Sequence, residues 1–272
     1  MDVTSIMSKD PITVTPTMPV AEARELLDTE DIRHAPVLWD GQLVGVISDR
    51  DLYPTESELA PSLEAGGEAR VRTVGDVMHD DFTTVSPEDT VVTAAVDFTV
   101  EKIGCLPVLS DKRLVGILSE LDMLVAYARA CRDGGLVDPS DQPPVAELMT
   151  PGPLAVTADT LVSDAIRTCV RLHARHLPIV DGENLVGIVS ARDLRRCEVA
   201  GKAEQTPVGE IMADEPITVG PRDPAPDAAT LMATAKVSAL PVLQDGKLVG
   251  LLTLTDLLDH CMATLREPDG SA

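Results

Sequence analysis

The stretch LVGVISDRD at residues 43–51 occurs three more times, as LVGILSELD at 114–122, LVGIVSARD at 185–193 and LVGLLTLTD at 248–256. Nine residues before each glycine of this pattern stands a proline in an apolar segment: Pro36, Pro107, Pro178 and Pro241. A third pattern, V-x-x-h-M with h hydrophobic, ends 29 residues before each proline: Met7, Met78, Met149 and Met212. Because no insertion or deletion interrupts these spacings, the chain contains four copies of one folded unit, joined by linkers or terminal helices of variable length.

Each unit is predicted to fold as strand, helix, strand, strand, helix, an α/β fold class. The segments around the prolines and glycines are apolar and rich in β-branched residues, and Asp-Gly pairs at 40–41, 181–182 and 245–246 predict hairpin turns between them. Apolar residues spaced i, i+3 and i+7, such as Val20, Ala23 and Leu27, predict the first helix. The runs PITV, FTTV, PLAV and PITV after each methionine predict the first strand. Residues that favour helix N-caps precede the four helices: Thr17, Ser86, Asp159 and Asp223.

These patterns, found four times in register, resemble the CBS domain, whose tandem pairs form Bateman modules. The resemblance covers nearly the whole chain and implies CBS repeats at residues 1–60, 70–133, 142–200 and 205–265. Repeats one and two then form a module at 1–133 and repeats three and four a module at 142–265, with the boundary in the Gly-, Pro- and Asp-rich segment 134–144. We expect the two modules to stack their helical faces into a disk with pseudo-twofold symmetry, and a homodimer is the alternative.

The resemblance also implies where a nucleotide would bind. In CBS domains the final aspartate of the glycine pattern accepts hydrogen bonds from ribose, the Ser or Thr three residues earlier faces the phosphate, and the backbone of the first and proline strands holds adenine. The ribose ligands of this chain would be Asp51, Asp122, Asp193 and Asp256. The phosphate-side donors would be Ser48, Ser119, Ser190 and Thr253. From the residues alone, Ser-x-x-Asp is also a common helix N-cap, which is the competing interpretation.

The odd repeats carry basic residues that the even repeats lack, a pattern that duplication of an existing pair of repeats explains. These residues are Arg33, His34, Arg50, Arg175, His176 and Arg192. They resemble the basic residues that contact phosphates in the gamma subunit of AMP-activated kinase. Arg offers a planar fork of donors that fits a phosphate, whereas surface ion pairs with neighbours such as Asp31 or Asp49 are the alternative. We therefore expect one or two strong sites per module, with phosphates on the side of the odd repeats.

The composition is that of an acidic globular protein. Residues are 44% hydrophobic but only 2% aromatic, and the formal net charge is −23. Such a surface repels phosphate backbones and anionic lipid, which argues against nucleic acid or a membrane as partner, although adaptation to concentrated salt produces the same acidity. The sequence shows no apolar run of about 18 residues and no signal peptide, so we expect a cytoplasmic protein.

The cysteines and histidines do not suggest a metal site. Five cysteines lie far apart with no C-x-x-C pair, which argues against both disulfides and zinc and favours reduced, buried thiols. The run His173-Ala174-Arg175-His176 has no Cys or carboxylate cluster that would complete a tetrahedral set.

The leading functional hypothesis is a regulatory sensor that binds AMP, ADP or ATP and signals to a separate effector protein. S-adenosylmethionine or a dinucleotide in the same clefts stays open. The alternative from another class is an interaction or oligomerisation module with empty clefts. An enzyme is disfavoured, because no nucleophile, Walker or dinucleotide-binding pattern occurs in proper context and no catalytic cofactor is implied.

Overall fold

The computed structural model describes residues 1–53, 71–101, 103–132 and 142–266. The chain divides into two compact units, Met1–Ala126 (unit 1) and Tyr127–Ala272 (unit 2). Two parts of the predicted domain limits, residues 134–141 of the module boundary and 54–60 at the end of the first repeat, lie outside the described residues.

Unit 1 contains two β-hairpins and the helices that flank them. The described strands are β1 (Ser8–Lys9), β2 (His34–Trp39), β3 (Gln42–Ser48), β4 (Cys105–Ser110) and β5 (Arg113–Ser119). The helices are α1 (Val20–Thr29), α2 (Val91–Glu101) and α3 (Glu120–Arg132), the last of which runs across the boundary between the units. The V-x-x-h-M segments begin with single 3-10 turns at Val3–Ser5 and Val74–Asp76.

Unit 2 repeats this order. Its strands are β6 (Thr150–Pro151), β7 (His176–Asp181), β8 (Asn184–Ser190), β9 (Ala213–Asp214), β10 (Ala239–Gln244) and β11 (Lys247–Thr253). Its helices are α4 (Val145–Leu148), α5 (Val162–Leu172), α6 (Ala191–Val199), α7 (Ala225–Ala235) and α8 (Leu254–Arg266), with a 3-10 turn at Val208–Glu210. The predicted α/β class and the two hairpin strands of each repeat are confirmed.

The predicted first strands are wrong in extent. Each contributes one parallel bridge to the proline strand, as between Val14 and Val37. The Val14 N–H donates to the Pro36 carbonyl at 3.1 Å and the Leu38 N–H donates to the Val14 carbonyl at 2.8 Å. The next bond of this ladder would need an N–H on Pro36, which proline lacks, so the pairing ends there.

The N-terminal segment of each repeat joins the hairpin of its neighbour. Strand β1 of repeat one pairs with β5 of repeat two, and β6 of repeat three pairs with β11 of repeat four. In return His79 of repeat two forms a bridge to Val46 of β3, and β9 of repeat four pairs with β8. This exchange makes repeats one and two, and repeats three and four, the two pairs.

The exchange explains why every repeat has both the methionine and the glycine of its pattern. A Cβ atom added to Gly45 would lie 2.8 Å from the Met78 sulfur, and one added to Gly116 would lie 2.6 Å from the Met7 sulfur. Each glycine therefore leaves room for the methionine of the neighbouring repeat. These methionines pack directly on the neighbouring glycine strand.

The predicted N-caps are wrong for a related reason. Helix α1 is capped by Pro19 rather than Thr17, and the N–H of Val20 donates to the Arg72 carbonyl of repeat two at 3.0 Å. In α5 the first N–H, on Val162, donates to the Thr206 carbonyl at 2.9 Å. Because the neighbouring repeat accepts these hydrogen bonds, no side-chain cap is required.

Each repeat forms an apolar core between its first helix and its hairpin. In repeat one, Leu27 of α1 packs with Val37 of β2 and Ile47 of β3, and Val74 of repeat two completes the cluster. The five cysteines are buried, as predicted. In the described part of the chain, every helix is too short or too polar to traverse a bilayer.

Candidate functional site

The hairpins bring the predicted ligand-binding residues together at one end. Antiparallel pairing places the first residue of each proline strand opposite the hydroxyl residue of the glycine strand: His34 and Ser48, Cys105 and Ser119, His176 and Ser190, Ala239 and Thr253. The aspartate follows in the next turn. We call these strand-to-helix turns corner 1 (Ser48, Asp51), corner 2 (Ser119, Asp122), corner 3 (Ser190, Asp193) and corner 4 (Thr253, Asp256).

One carboxylate oxygen of each aspartate is used inside its own corner. In corner 1 the Asp51 Oδ2 accepts hydrogen bonds from the Ser48 N–H and from the Ser48 hydroxyl, both at 2.7 Å. The same pair of bonds, at 2.5 to 3.1 Å, recurs in the other corners. A helix begins directly after the hydroxyl residue of corners 2, 3 and 4, so the N-cap geometry that competed with ligand binding is present there. Corner 1 has the same two hydrogen bonds in a turn, and no helix follows in its described residues 49–53. In all four corners this bonding leaves the Oδ1 atom as the oxygen through which the aspartate could meet a ligand.

The cap also restricts the hydroxyl groups. A hydroxyl has one hydrogen to donate, and each of these four donates it to the carboxylate. A phosphate could accept that hydrogen only by displacing the carboxylate, so the hydroxyl is a less available phosphate donor than the sequence suggests.

Backbone bonds hold an arginine beside each odd corner. The Asp49 N–H donates to the Arg33 carbonyl at 2.8 Å, and the Ala191 N–H donates to the Arg175 carbonyl at 2.8 Å. The second arginine of each pair, Arg50 or Arg192, directly precedes the aspartate. Each odd corner therefore has the backbone of two arginines beside its aspartate.

The histidines lie where the two repeats of a pair meet. The His34 ring occupies the space that a Cβ atom on Gly104 would fill, and the His176 Nε2 shares a 2.9 Å hydrogen bond with the Ser238 hydroxyl. Burial lowers the pKa of His34 to about 4, with Arg33 and Arg50 acting in the same direction. His34 is therefore neutral at pH 7 and adds no positive charge to corner 1, in contrast to the cationic role inferred from the sequence.

Comparison with known proteins accounts for this arrangement. The CBS domain matches residues 3–54, 74–129, 145–199 and 208–263. The chain belongs to the CBS domain family. The predicted four CBS repeats in two tandem Bateman modules are confirmed.

Two archaeal proteins of similar length share this CBS architecture. The crystal structure of MJ1225 from Methanocaldococcus jannaschii, a proposed archaeal homologue of g-AMPK, has a TM-score of 0.72 at 22% identity, covering 96% of this chain and 99% of that one. The MJ1225 sequence aligns at 25% identity over 93% of this chain and 96% of its own. An uncharacterized conserved protein from Pyrococcus horikoshii has a TM-score of 0.62 at 26% identity, covering 96% and 100%.

An enzyme is also related over part of its length. Inosine-5'-monophosphate dehydrogenase from Bifidobacterium longum is 31% identical over 198 residues, which are 66% of this chain and 36% of that protein. The chain thus spans about a third of that enzyme, and the similarity is one of CBS repeats.

The even CBS corners differ electrostatically from the odd ones. In corner 2, burial and the nearby Glu120 carboxylate raise the pKa of the Cys105 thiol to about 12. Burial also raises the pKa of Asp122, against the hydrogen bonds from Ser119. The nearest sequence lysine, Lys102, lies outside the described residues. The groups placed at corner 2 are therefore neutral or acidic.

Three residues at the corners were not identified from the sequence. Gly104 and Ser238 meet the odd-repeat histidines, and His79 Nε2 lies 3.1 Å from Asp51 Oδ1. Gly104 and Ser238 could have been found from the alignment of the repeats, where they stand in place of Arg33 and Arg175. The signal for His79 was its place directly after the methionine of V-x-x-h-M.

Two further observations do not concern the corners. A cavity of about 360 Å³, lined by Pro221, Arg222 and the turn of hairpin β10–β11, lies at the opposite end of that hairpin from corner 4. In the portions of the chain that the structure describes, no group of three or more His, Cys, Asp or Glu side chains could hold a metal ion.

Proposed function

We propose that this protein is a regulatory sensor that binds AMP, ADP or ATP at the corners of its CBS modules and signals their occupancy to a separate effector protein. The observation that carries the proposal is the assembly of a carboxylate, a hydroxyl and two arginines at one end of a hairpin in both odd repeats. In a nucleotide the ribose and the phosphate are neighbours, so a site that binds both needs these groups close to one another.

The aspartates would recognise the ribose. The cap bonds to Oδ2 fix the carboxylate, and a fixed acceptor loses little conformational freedom when a ligand binds. Oδ1 would then accept a hydrogen bond from a ribose hydroxyl. At corner 3 this atom lies 3.8 Å from the Arg196 guanidinium, so a cation is already close to it.

The arginines would recognise the phosphates. Arg33 and Arg50 at corner 1, and Arg175 and Arg192 at corner 3, offer planar forks of donors in a chain whose net charge is −23. We propose that phosphates lie toward these odd corners and that one or two sites fill in each module. The arginine-poor corners 2 and 4 would hold the nucleoside part more readily than a phosphate chain.

Occupancy would be transmitted through the contact between paired repeats. A ligand biases that contact only by the difference between its affinities for the two arrangements of the repeats. The effector would read the arrangement, and the proposal assigns no chemical step to the chain itself.

One observation favours a second candidate, an interaction module with empty clefts. All four aspartates accept the N–H of the hydroxyl residue in their own corner, a purely structural use that requires no ligand. S-adenosylmethionine is a further candidate ligand of the same clefts, since it presents a ribose without a phosphate.

Isothermal titration calorimetry with AMP, ADP, ATP and S-adenosylmethionine, in dilute buffer and in molar salt, separates these candidates. Asp193→Asn keeps the cap but removes the charge, so we expect it to weaken nucleotide binding by about 1 to 3 kcal/mol. The matched control is Asp223→Asn, because the Asp223 Oδ2 accepts the Gly220 N–H at 2.7 Å in a turn outside the corners. Unchanged affinity in the Asp→Asn variants of all four corners would overturn the ribose assignment.

A further inference from the structure

Corner 1 contains a contact that involves a residue of the neighbouring repeat. The His79 Nε2 lies 3.1 Å from Asp51 Oδ1, the oxygen that the cap leaves available for a ribose. The Asp51 side chain is 19% exposed and that of His79 is 67% exposed. The imidazole is thus the more exposed partner of the contact, and it engages the oxygen that a ribose would need.

The backbone fixes the position of His79. Its N–H donates to the Val46 carbonyl at 2.9 Å, and its own carbonyl accepts the Val46 N–H at 3.0 Å. Met78, the residue before it, packs against Gly45. The side chain can rotate away, but its Cα stays beside the end of β3.

The other three corners provide an internal comparison. The residues paired in the same register are Ser8 opposite Ile117, Thr150 opposite Leu251 and Ala213 opposite Ile188. They face corners 2, 4 and 3, respectively. A small side chain stands at each of these positions, so a histidine at this register position is particular to corner 1 among the four corners.

We propose that His79 closes corner 1, so that a nucleotide must displace the imidazole from Asp51 before its ribose can bind there. Corner 1 then fills at a higher nucleotide concentration than it would without the imidazole. This inference rests on the proposed function and adds a competitor for the ligand at one site of unit 1.

The closure is a weak competitor rather than a block. His79 is mostly exposed, and a solvent-exposed pair of this kind contributes little to stability because water and salt screen it. Removing the imidazole should therefore tighten binding at corner 1 by about two- to fivefold, the range that an exposed ion pair can supply.

Calorimetry with AMP on a chain carrying Asp122→Asn, Asp193→Asn and Asp256→Asn isolates corner 1, and Trp39 fluorescence checks that this chain is folded. Adding His79→Ser, the residue that repeat one has at this place, should tighten AMP binding about two- to fivefold. In the reciprocal experiment, Ser8→His in the otherwise unchanged chain should weaken AMP binding at corner 2 by a similar factor. Unchanged or weaker binding after His79→Ser would overturn the closure and leave the nucleotide sensor standing.

The imidazole signals supply a second measurement on the unaltered protein. The chain has five histidines, so the ring signal of His79 can be assigned in an NMR spectrum by its loss in His79→Ser. It should shift when AMP takes Asp51 from the imidazole. A His79 signal that does not shift at saturation would contradict the closure. If AMP, ADP and ATP bind to no form of the protein, the sensor function is refuted, and the closure with it.

Discussion

Replacing His34 by glutamine tests whether a histidine is held neutral between two CBS repeats. Burial against Gly104 lowers the pKa of His34 from 6.5 to about 4. The imidazole binds a proton more readily in the unfolded chain than in the folded one. The stabilisation that results is therefore complete above pH 6.5 and is lost as the pH falls toward 4.

The magnitude follows from the two pKa values. One pKa unit corresponds to about 1.4 kcal/mol, so the full interval from 6.5 to about 4 is worth about 3 kcal/mol. At pH 4.5 most of this is expressed, and the wild type should lose about 2.5 kcal/mol through His34 relative to pH 7.5. His34→Gln removes the titrating group, so its unfolding free energy should depend less steeply on pH by that amount.

Trp39 makes the measurement specific. It is the only tryptophan of the chain and ends the same strand, β2, that His34 begins. Urea unfolding followed by Trp39 fluorescence at pH 7.5 and 4.5 therefore reports on this hairpin. His173→Gln, which replaces an exposed histidine of unit 2, controls for the loss of one imidazole. Equal pH dependence in wild type and His34→Gln would refute the assignment of His34 to a site that excludes its charged form.

Three other expectations concern packing, thiols and charge. Gly45→Ala should lower the unfolding free energy by about 1 to 3 kcal/mol, because its Cβ would press on Met78. Adding Met78→Ala should recover part of that loss, and a double variant whose loss equals the sum of the two single losses would contradict the contact. Burial raises the pKa of Cys105 and Cys261 to about 12. Ellman's reagent at pH 8 should therefore label these two thiols only when the protein unfolds, and rapid labelling of both in the native protein would contradict their burial. Asp49→Ala gives corner 1 the alanine that corner 3 has and removes a negative charge there. Calorimetry at low salt should show a gain in affinity of about two- to tenfold that is larger for ATP than for AMP. Equal gains for both nucleotides would exclude a phosphate beside residue 49.

The sequence predicted the fold because each repeat carries its own local signals. The Asp-Gly turns and β-branched runs specify hairpins such as β2–β3 without help from elsewhere. The first strand was overestimated because PITV has the composition of a strand, while its ladder depends on a partner, Pro36, that has no N–H. The N-cap of α1 was misplaced at Thr17, because the first helical N–H, on Val20, donates to a carbonyl 52 residues away, at Arg72.

The candidate site was predicted to a similar degree. The alignment of repeats grouped Ser48, Asp51 and the Arg33-His34 pair, and the hairpin register does bring them to one corner. It could not show that His34 is neutral or that His79 contacts Asp51, because both depend on which residue of the paired repeat lies opposite. Contacts between repeats are set by tertiary structure, and spacing along one repeat carries no information about them.

Those same contacts explain how a CBS pair could convert occupancy into a signal. Corner 1 is built from β3 of repeat one together with Met78 and His79 of repeat two, and His34 reaches Gly104 across the same contact. A ligand that takes Asp51 from His79 acts on both repeats at once, since it frees a residue that is bonded to β3 through its backbone. The arrangement of the repeats then enters the binding free energy of the ligand, and by reciprocity the ligand biases that arrangement. A corner made from one repeat alone could bind a nucleotide equally well and would have no means of reporting it.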